Sequence, residues 1–230
     1  MRRMILQGVG VAALAIAPSV TFAQMKPAAA TYITDEEVKT VNALPGVDRT
    51  IRVVDIGPEN FSVGIIHRGA TGAARGTAAG GGAAAAAGRA GGGGAAGRGA
   101  APQGEPCGEP SSGGAAPSGA TAGGIAHDQQ TEGYLIVSGG GTLVTGGKIY
   151  NGRKTPPDSE VTKVLNGPSC SGAIVGSDVV KKVVKTGDII IIPAGVPHGW
   201  SEITDHVDYL SFRPSARVLQ AGYVNPALKK

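Results

Sequence analysis

The stretch Gly187-Asp188-Ile189-Ile190-Ile191-Ile192-Pro193-Ala194-Gly195-Val196-Pro197-His198 decides how the rest of this chain is read. Its isoleucine run, bounded by Gly187 and Pro193, is apolar without interruption and of strand length, which suits a strand buried on both faces. Pro193-Ala194-Gly195 then brings a preset φ and a residue free to take positive φ, so the chain can reverse tightly. His198 stands directly after that reversal.

Outward from this stretch, short β-rich segments recur at residues 50–56, 61–67, 133–137, 141–144, 148–150, 161–165, 173–175, 179–184 and 207–212, separated by Gly, Pro, Asn and Ser. Many short strands at close turn spacing predict an all-β sandwich or barrel. In the second segment Phe61, Val63, Ile65 and His67 alternate onto one face. Ahead of the strands, Thr34-Asp35-Glu36-Glu37 has the Ser/Thr-x-x-Glu form of a capping box, followed by Val38, Val41 and Leu44. It predicts a short helix ending near Pro45-Gly46.

Residues 1–23 carry Arg2 and Arg3, an apolar stretch broken by Gln7, Gly8, Gly10 and Pro18, and the small-residue end Thr21-Phe22-Ala23. This is the pattern of a signal peptide cut after Ala23, and the stretch is short for a bilayer span, so the mature chain is expected in the periplasm or secreted, without a membrane anchor. Arg2-Arg3-Met4-Ile5-Leu6 also fits a twin-arginine signal, and both export routes stand. Net charge is +4 and no basic run remains in the mature part, so nucleic acid is not an expected partner. Residues 69–124 are mostly Gly and Ala; with almost no large apolar groups to offset their ordering entropy they are expected to form a disordered insertion. That divides the chain into a signal (1–23), the helix and first strands (24–68), the insertion (69–124), the barrel core (125–216) and a tail (217–230). Cys107 and Cys170 belong to a chain read as exported, where a disulfide is permitted; the sequence leaves their pairing open.

Two segments together resemble the paired motifs of the cupin family, G-x5-H-x-H-x3,4-E-x6-G and G-x5-P-x-G-x2-H-x3-N. Gly187, Pro193, Gly195 and His198 match the second, with Glu202 in place of its final Asn. Gly119, His127, Glu132 and Gly139 match the first, with Ile125 in place of its first histidine. The resemblance implies a jelly-roll β-barrel for the folded part of the chain. It also implies that His127, Glu132 and His198 converge on one divalent transition metal, a donor set that suits Fe, Mn or Zn.

Ile125 cannot coordinate, which leaves the set one donor short of the family's usual four. His67, on the alternating face of its strand, and Gln129 or Gln130, in the turn before Glu132, are candidates for an additional ligand; His67 reads equally well as a histidine hydrogen-bonded at a strand end. Tyr134 and Ile136 follow Glu132 at strand period and share its inward face; with Trp200 they would wall a pocket for a small molecule, or simply pack the core. Glu202 is the candidate proton carrier, and His206 is assigned to an exposed turn outside the site. Two functions compete: a metal-dependent oxygenase, decarboxylase or isomerase acting on a small molecule, and a non-catalytic cupin that captures a small molecule or the metal itself. A surface role for the Gly/Ala insertion is a third. By analogy with the family, a homodimer is expected.

Overall fold

The computed structural model describes residues 26–71, 104–110 and 116–229. Residues 1–23, read above as an export signal, lie outside the described residues. Helix α1 (Asp35–Asn42) begins at the expected capping box: the Thr34 hydroxyl accepts from the Glu37 amide, and the Glu37 carboxylate accepts from the Thr34 amide. Its Val41 is buried against Ile51 and Ile65, with Val38, Leu44 and Val63 alongside. The helix is thereby fastened to the outside of the first two strands, β1 (Asp48–Asp55) and β2 (Asn60–Gly69), which pair antiparallel.

The remaining strands are β3 (Pro106–Cys107), β4 (Gly124–His127), β5 (Glu132–Thr145), β6 (Lys148–Lys154), β7 (Ser169–Val175), β8 (Val180–Lys185), β9 (Ile189–Ile192), β10 (His198–Glu202) and β11 (His206–Ser215). All named ladders are antiparallel, in the order β1-β2-β11-β5-β10-β4-β7-β6-β3, with β8 and β9 also on β5. This is the all-β jelly-roll arrangement expected of the chain. β5 holds it together: its first half pairs with β9 and β11, its second with β8 and β10. The crossing point is Gly139-Gly140-Gly141. Gly139 has φ +66°, and a Cβ at any of the three would strike the backbone carbonyl of His206, Val184 or Glu202. Only glycine lets the three neighbouring strands approach this closely.

Two expectations fail for identifiable reasons. Residues 161–165, read as a strand from their β-branched residues, form a single π-helical turn, Val161–Leu165, closed by the Asn166 amide on the Val161 carbonyl at 2.8 Å. Tertiary partners override the local preference. Thr50 and Arg213 donate to the carbonyls of Val164 and Leu165, and the Gln220 amide to that of Lys163, so the turn caps one end of the barrel. The isoleucine run does form β9, but it is not buried on both faces: Ile189 and Ile191 are each 73% exposed while Ile192 is buried. Among the described residues β9 pairs only with β5, so it is an edge strand whose outward side chains have nothing above them.

The Gly/Ala-rich region 69–124 lies largely outside the described residues, but its later parts belong to the fold. β3 pairs with β6, Cys107 is disulfide-bonded to Cys170 on β7, and Thr121 accepts from the Ile174 amide at 2.8 Å. Ordered structure therefore begins ahead of Ile125. Among the described residues no helix is long and apolar enough to cross a membrane.

Candidate metal centre

His127 ends β4, Glu132 begins β5 and His198 begins β10, three strand termini brought together inside the barrel. β10 pairs with β4 through His198 opposite Ile125, so His127, two residues on from Ile125, shares that inward face. The loop of the second motif also binds the first directly: the Gly195 amide donates to the His127 carbonyl at 2.7 Å. All three side chains are buried, His127 at 3%, Glu132 at 1% and His198 at 4% exposure. His198 Nε2 lies 3.0 Å and His127 Nε2 3.4 Å from the same Glu132 oxygen, Oε2, and the imidazole centroids are 5.2 Å apart.

The partners of the other ring nitrogens indicate the tautomers. His198 Nδ1 is 3.1 Å from the Val196 carbonyl, an acceptor, so Nδ1 carries the proton. His127 Nδ1 is 2.8 Å from the Ser169 hydroxyl, whose own hydrogen points to the Asn166 or Gly167 carbonyl, each at 3.0 Å; the hydroxyl therefore accepts from His127. Both Nε2 atoms then present lone pairs to a carboxylate oxygen. Three acceptors at this separation repel one another unless a positive charge stands among them, a proton or a metal ion. The donor set and its partners thus fit a divalent cation, with Nε2 of each histidine and Oε2 of Glu132 as ligand atoms. Among the described residues these three form the one group of His, Cys, Asp or Glu with metal-ligand spacing.

Glu132 is further held by Arg213 and Ser211, which the sequence reading did not single out, and by Tyr134, which it placed on the same inward face. Arg213 Nε donates to Oε1 at 2.5 Å and the Ser211 hydroxyl at 3.2 Å, while the Tyr134 hydroxyl donates to Oε2 at 2.5 Å. Burial alone would disfavour the charged carboxylate; the Arg213 guanidinium, and the two imidazoles when they carry a proton, outweigh it and hold the group well below the usual carboxylate range. Arg213 in turn reaches Asp48 at 2.6 Å and the Leu165 carbonyl at 3.2 Å. Burial and the neighbouring Glu132 charge push the Tyr134 hydroxyl well above its ordinary value, so it stays a donor. A signal for Arg213 and Ser211 was present in the sequence: on β11 they are in phase with Val207 and Tyr209, which point into the core.

The other candidates fall elsewhere. His67 lies on the outside, its side chain 48% exposed, where it pairs with Asp208 at 2.6 Å and stacks on His206; it is a strand-end histidine, not a ligand, because it shares its face with Phe61 and Val63, under and beside α1. Gln129 is exposed, and Gln130 is buried with neither amide atom bonded among the described residues. Glu202 is exposed at the far end of β10, opposite Thr142, so it is not placed beside the three ligand atoms as a proton carrier. Tyr134 and Ile136 do face inward. Together with the partly buried Trp200 they pack against Ile66, Leu143, Val207 and Tyr209. His206 opens β11, bonded to Asp205 and Ser138, and is no part of the site.

No family model and no curated protein matches this sequence. Among solved structures, recombinant oxalate oxidase in complex with glycolate is similar at TM-score 0.31 and 11% identity, over 76% of this chain and 55% of that one. Oxalate oxidase in complex with the substrate analogue glycolate gives the same values. Peruvianin-I, described as a cysteine peptidase from Thevetia peruviana latex, is similar at TM-score 0.30 and 9% identity, over 81% of this chain and 77% of its own. The chain spans about half the length of the oxalate oxidase chains it resembles. Nothing of their chemistry is carried over from likenesses this distant. What stands on the chain's own residues is an antiparallel jelly roll enclosing a buried His-Glu-His set suited to a divalent metal.

Proposed function

We propose that this chain is an exported cupin-type barrel that binds one divalent transition metal, Fe, Mn or Zn, through His127, Glu132 and His198. The observation that supports it is the convergence of two imidazole lone pairs on a single carboxylate oxygen, each ring locked in the ligating tautomer by a partner at Nδ1. Such outer partners orient metal-bound histidines and raise their basicity. Arg213 and Ser211 engage Oε1, while Oε2 accepts from Tyr134 and faces both imidazoles, which makes it the metal-facing oxygen.

Three protein donors leave positions open on a six-coordinate ion, and this favours a second reading in which the metal polarises or activates a small molecule, as an oxygenase, decarboxylase or isomerase would. In that reading Tyr134 is the hydroxyl nearest the ligand atoms and Glu202 takes no part. The Cys107–Cys170 bond fits the periplasm or the exterior, where disulfides persist, and a homodimer is the expected assembly. Elemental analysis of the purified protein beside the His127→Ala/His198→Ala variant tests the first reading. Near-stoichiometric metal that disappears in the variant is the expected result. A wild-type protein that is empty and takes up none of added Fe(II), Mn(II) or Zn(II) would overturn it, whereas metal without turnover on any carboxylate, enediol or oxygen-dependent substrate would leave the binding role alone standing.

A further inference from the structure

Behind the Glu132–Arg213 pair, on the side away from the apolar cluster, the barrel is lined with polar side chains. Strand register places them in rows. Asp55 on β1 is opposite Asn60 on β2, Asn60 is opposite Ser215 on β11, and Ser215 is opposite Gln130, just ahead of β5. One step along, Val53 is opposite Ser62, Ser62 is opposite Arg213, and Arg213 meets Glu132 side chain to side chain. Cross-strand partners share a face, and residues two apart on a strand share it too. Asp55, Asn60, Ser62, Ser215 and Gln130 therefore form one inward patch contiguous with Arg213.

Every one of the five is at least nine-tenths buried and has a polar atom without a hydrogen-bond partner among the described residues: Asp55 Oδ2, Asn60 Oδ1, the Ser62 and Ser215 hydroxyls, and both amide atoms of Gln130. The Asn60 amide donates to the Leu219 carbonyl at 2.6 Å, and Thr50 to the Val164 carbonyl of the π-helical turn at 2.7 Å. Buried polar groups are satisfied by protein, by water or by a ligand, and a single orphan is costly. Five on one patch call for an occupant.

We infer that this polar end of the barrel is a second binding compartment, separate from the His127–Glu132–His198 centre, that takes hydroxyl groups, those of a small neutral polyol or of ordered water. The chemistry of the wall selects this class. Asp55 Oδ2, Asn60 Oδ1 and the Gln130 carbonyl only accept, the Gln130 amino group only donates, and the two serine hydroxyls do either. An occupant must bring more donors than acceptors yet offer some of each, which a hydroxyl does. A carboxylate brings acceptors alone and would face Asp55 and the back of Glu132, so small organic acids are excluded from this compartment. Because both amide atoms of Gln130 are free, the assignment does not depend on which way that amide points.

The test combines a high-resolution crystal structure of the full chain, prepared without polyols and then soaked in erythritol or in malonate, with thermal unfolding of Gln130→Met and Ser62→Ala. Ordered density bonded to Ser62, Ser215, Gln130 and Asp55 is expected. Continuous density after the erythritol soak assigns the hydroxyls to a polyol, and discrete peaks that erythritol does not displace assign them to water. Each variant should lower Tm by about 2–4 °C, since it removes bonds to the occupant. Five side chains paired to one another around no density, malonate seated on the row, or variants that raise Tm by relieving an orphaned group would each overturn the inference. Metal content, read on the same crystals, reports separately on the triad.

Discussion

β2, β5 and β11 each carry two chemistries along a single inward face, and the contrast between their ends organises the molecule. Toward one end they bring Ile66, Ile136, Val207 and Tyr209 into a packed apolar cluster. Toward the other they bring Asn60 and Ser62, Glu132, and Ser211, Arg213 and Ser215. The apolar end gains stability by burial at about 1.5–3 kcal/mol for each large side chain. The polar end cannot gain it that way, because each group there costs desolvation unless it is paired. Polar residues in such density inside a barrel mark where folding has been subordinated to binding. Glu132 and its ligand neighbours sit at the border, with Tyr134 on the apolar side and Arg213 on the polar side.

The sharpest way to break this contrast is Arg213→Met, which keeps the volume and removes the charge. Glu132 would be left buried and Asp48 half-buried without their shared partner, and urea unfolding should show a loss of about 3–5 kcal/mol; a loss below about 1 kcal/mol would mean the pair is not the keystone of the polar end. The pH profile gives a second readout. Glu132 titrates below its ordinary range in the native state, so its stabilisation is present above the unfolded value of about 4.3 and is lost as pH falls through the native one. Without Arg213 that native value rises, and acid unfolding of the variant should begin at higher pH.

At the apolar end, Ile136→Ala should cost about 2–5 kcal/mol by creating a cavity, with metal content unchanged. If metal binding fell in step with stability, the two ends would not be separable. Ser169→Ala removes the partner of His127 Nδ1 and the hydroxyl bond to the Asn166 and Gly167 carbonyls, without changing the strand backbone. It should weaken metal affinity about 10–100-fold in a chelator competition while leaving the fold intact. The smallest effect belongs to the edge: Ile191→Thr, on the exposed side of β9, should change stability by no more than about 0.5 kcal/mol. A large loss there would mean that this face is covered after all.

Much of this was legible in the residues, and the parts that were not share a cause. The strands around Gly139-Gly140-Gly141 and the Thr34 cap follow from local period and turn chemistry, and the meeting of His127, Glu132 and His198 is what the resemblance to the cupin motifs implies. The isoleucine run gave strand length but not its setting, because periodicity cannot tell a central strand from an edge one; that depends on which neighbours arrive from elsewhere in the chain. Residues 161–165 look like a strand until Thr50, Arg213 and Gln220, all distant in sequence, claim the carbonyls of that turn. Arg213 and Ser169 were missed as partners of the metal ligands for the same reason. The alternation of His67 with Phe61, Val63 and Ile65 is real but lies on the outer side of the sheet, so of its two readings the strand-end one fits.

The Cys107–Cys170 bond closes residues 107–170 into a covalent ring that contains His127 and Glu132, while His198 and all of α1, β1 and β2 lie outside it. A protease that nicks the chain at 111–115 therefore leaves one covalent molecule, which would separate on a gel only after reduction. A cut at 72–103 instead yields two polypeptides without a covalent link, held by the ten-residue ladder of β2 on β11, the backbone bonds of β1 to residues 222–225 and the Arg213–Asp48 pair. By its connectivity the barrel would then be a two-fragment assembly: the N-terminal piece supplies Asp48, Asn60 and Ser62, the C-terminal piece supplies all three candidate metal ligands, and mixing the two is expected to reconstitute the polar end from separate chains.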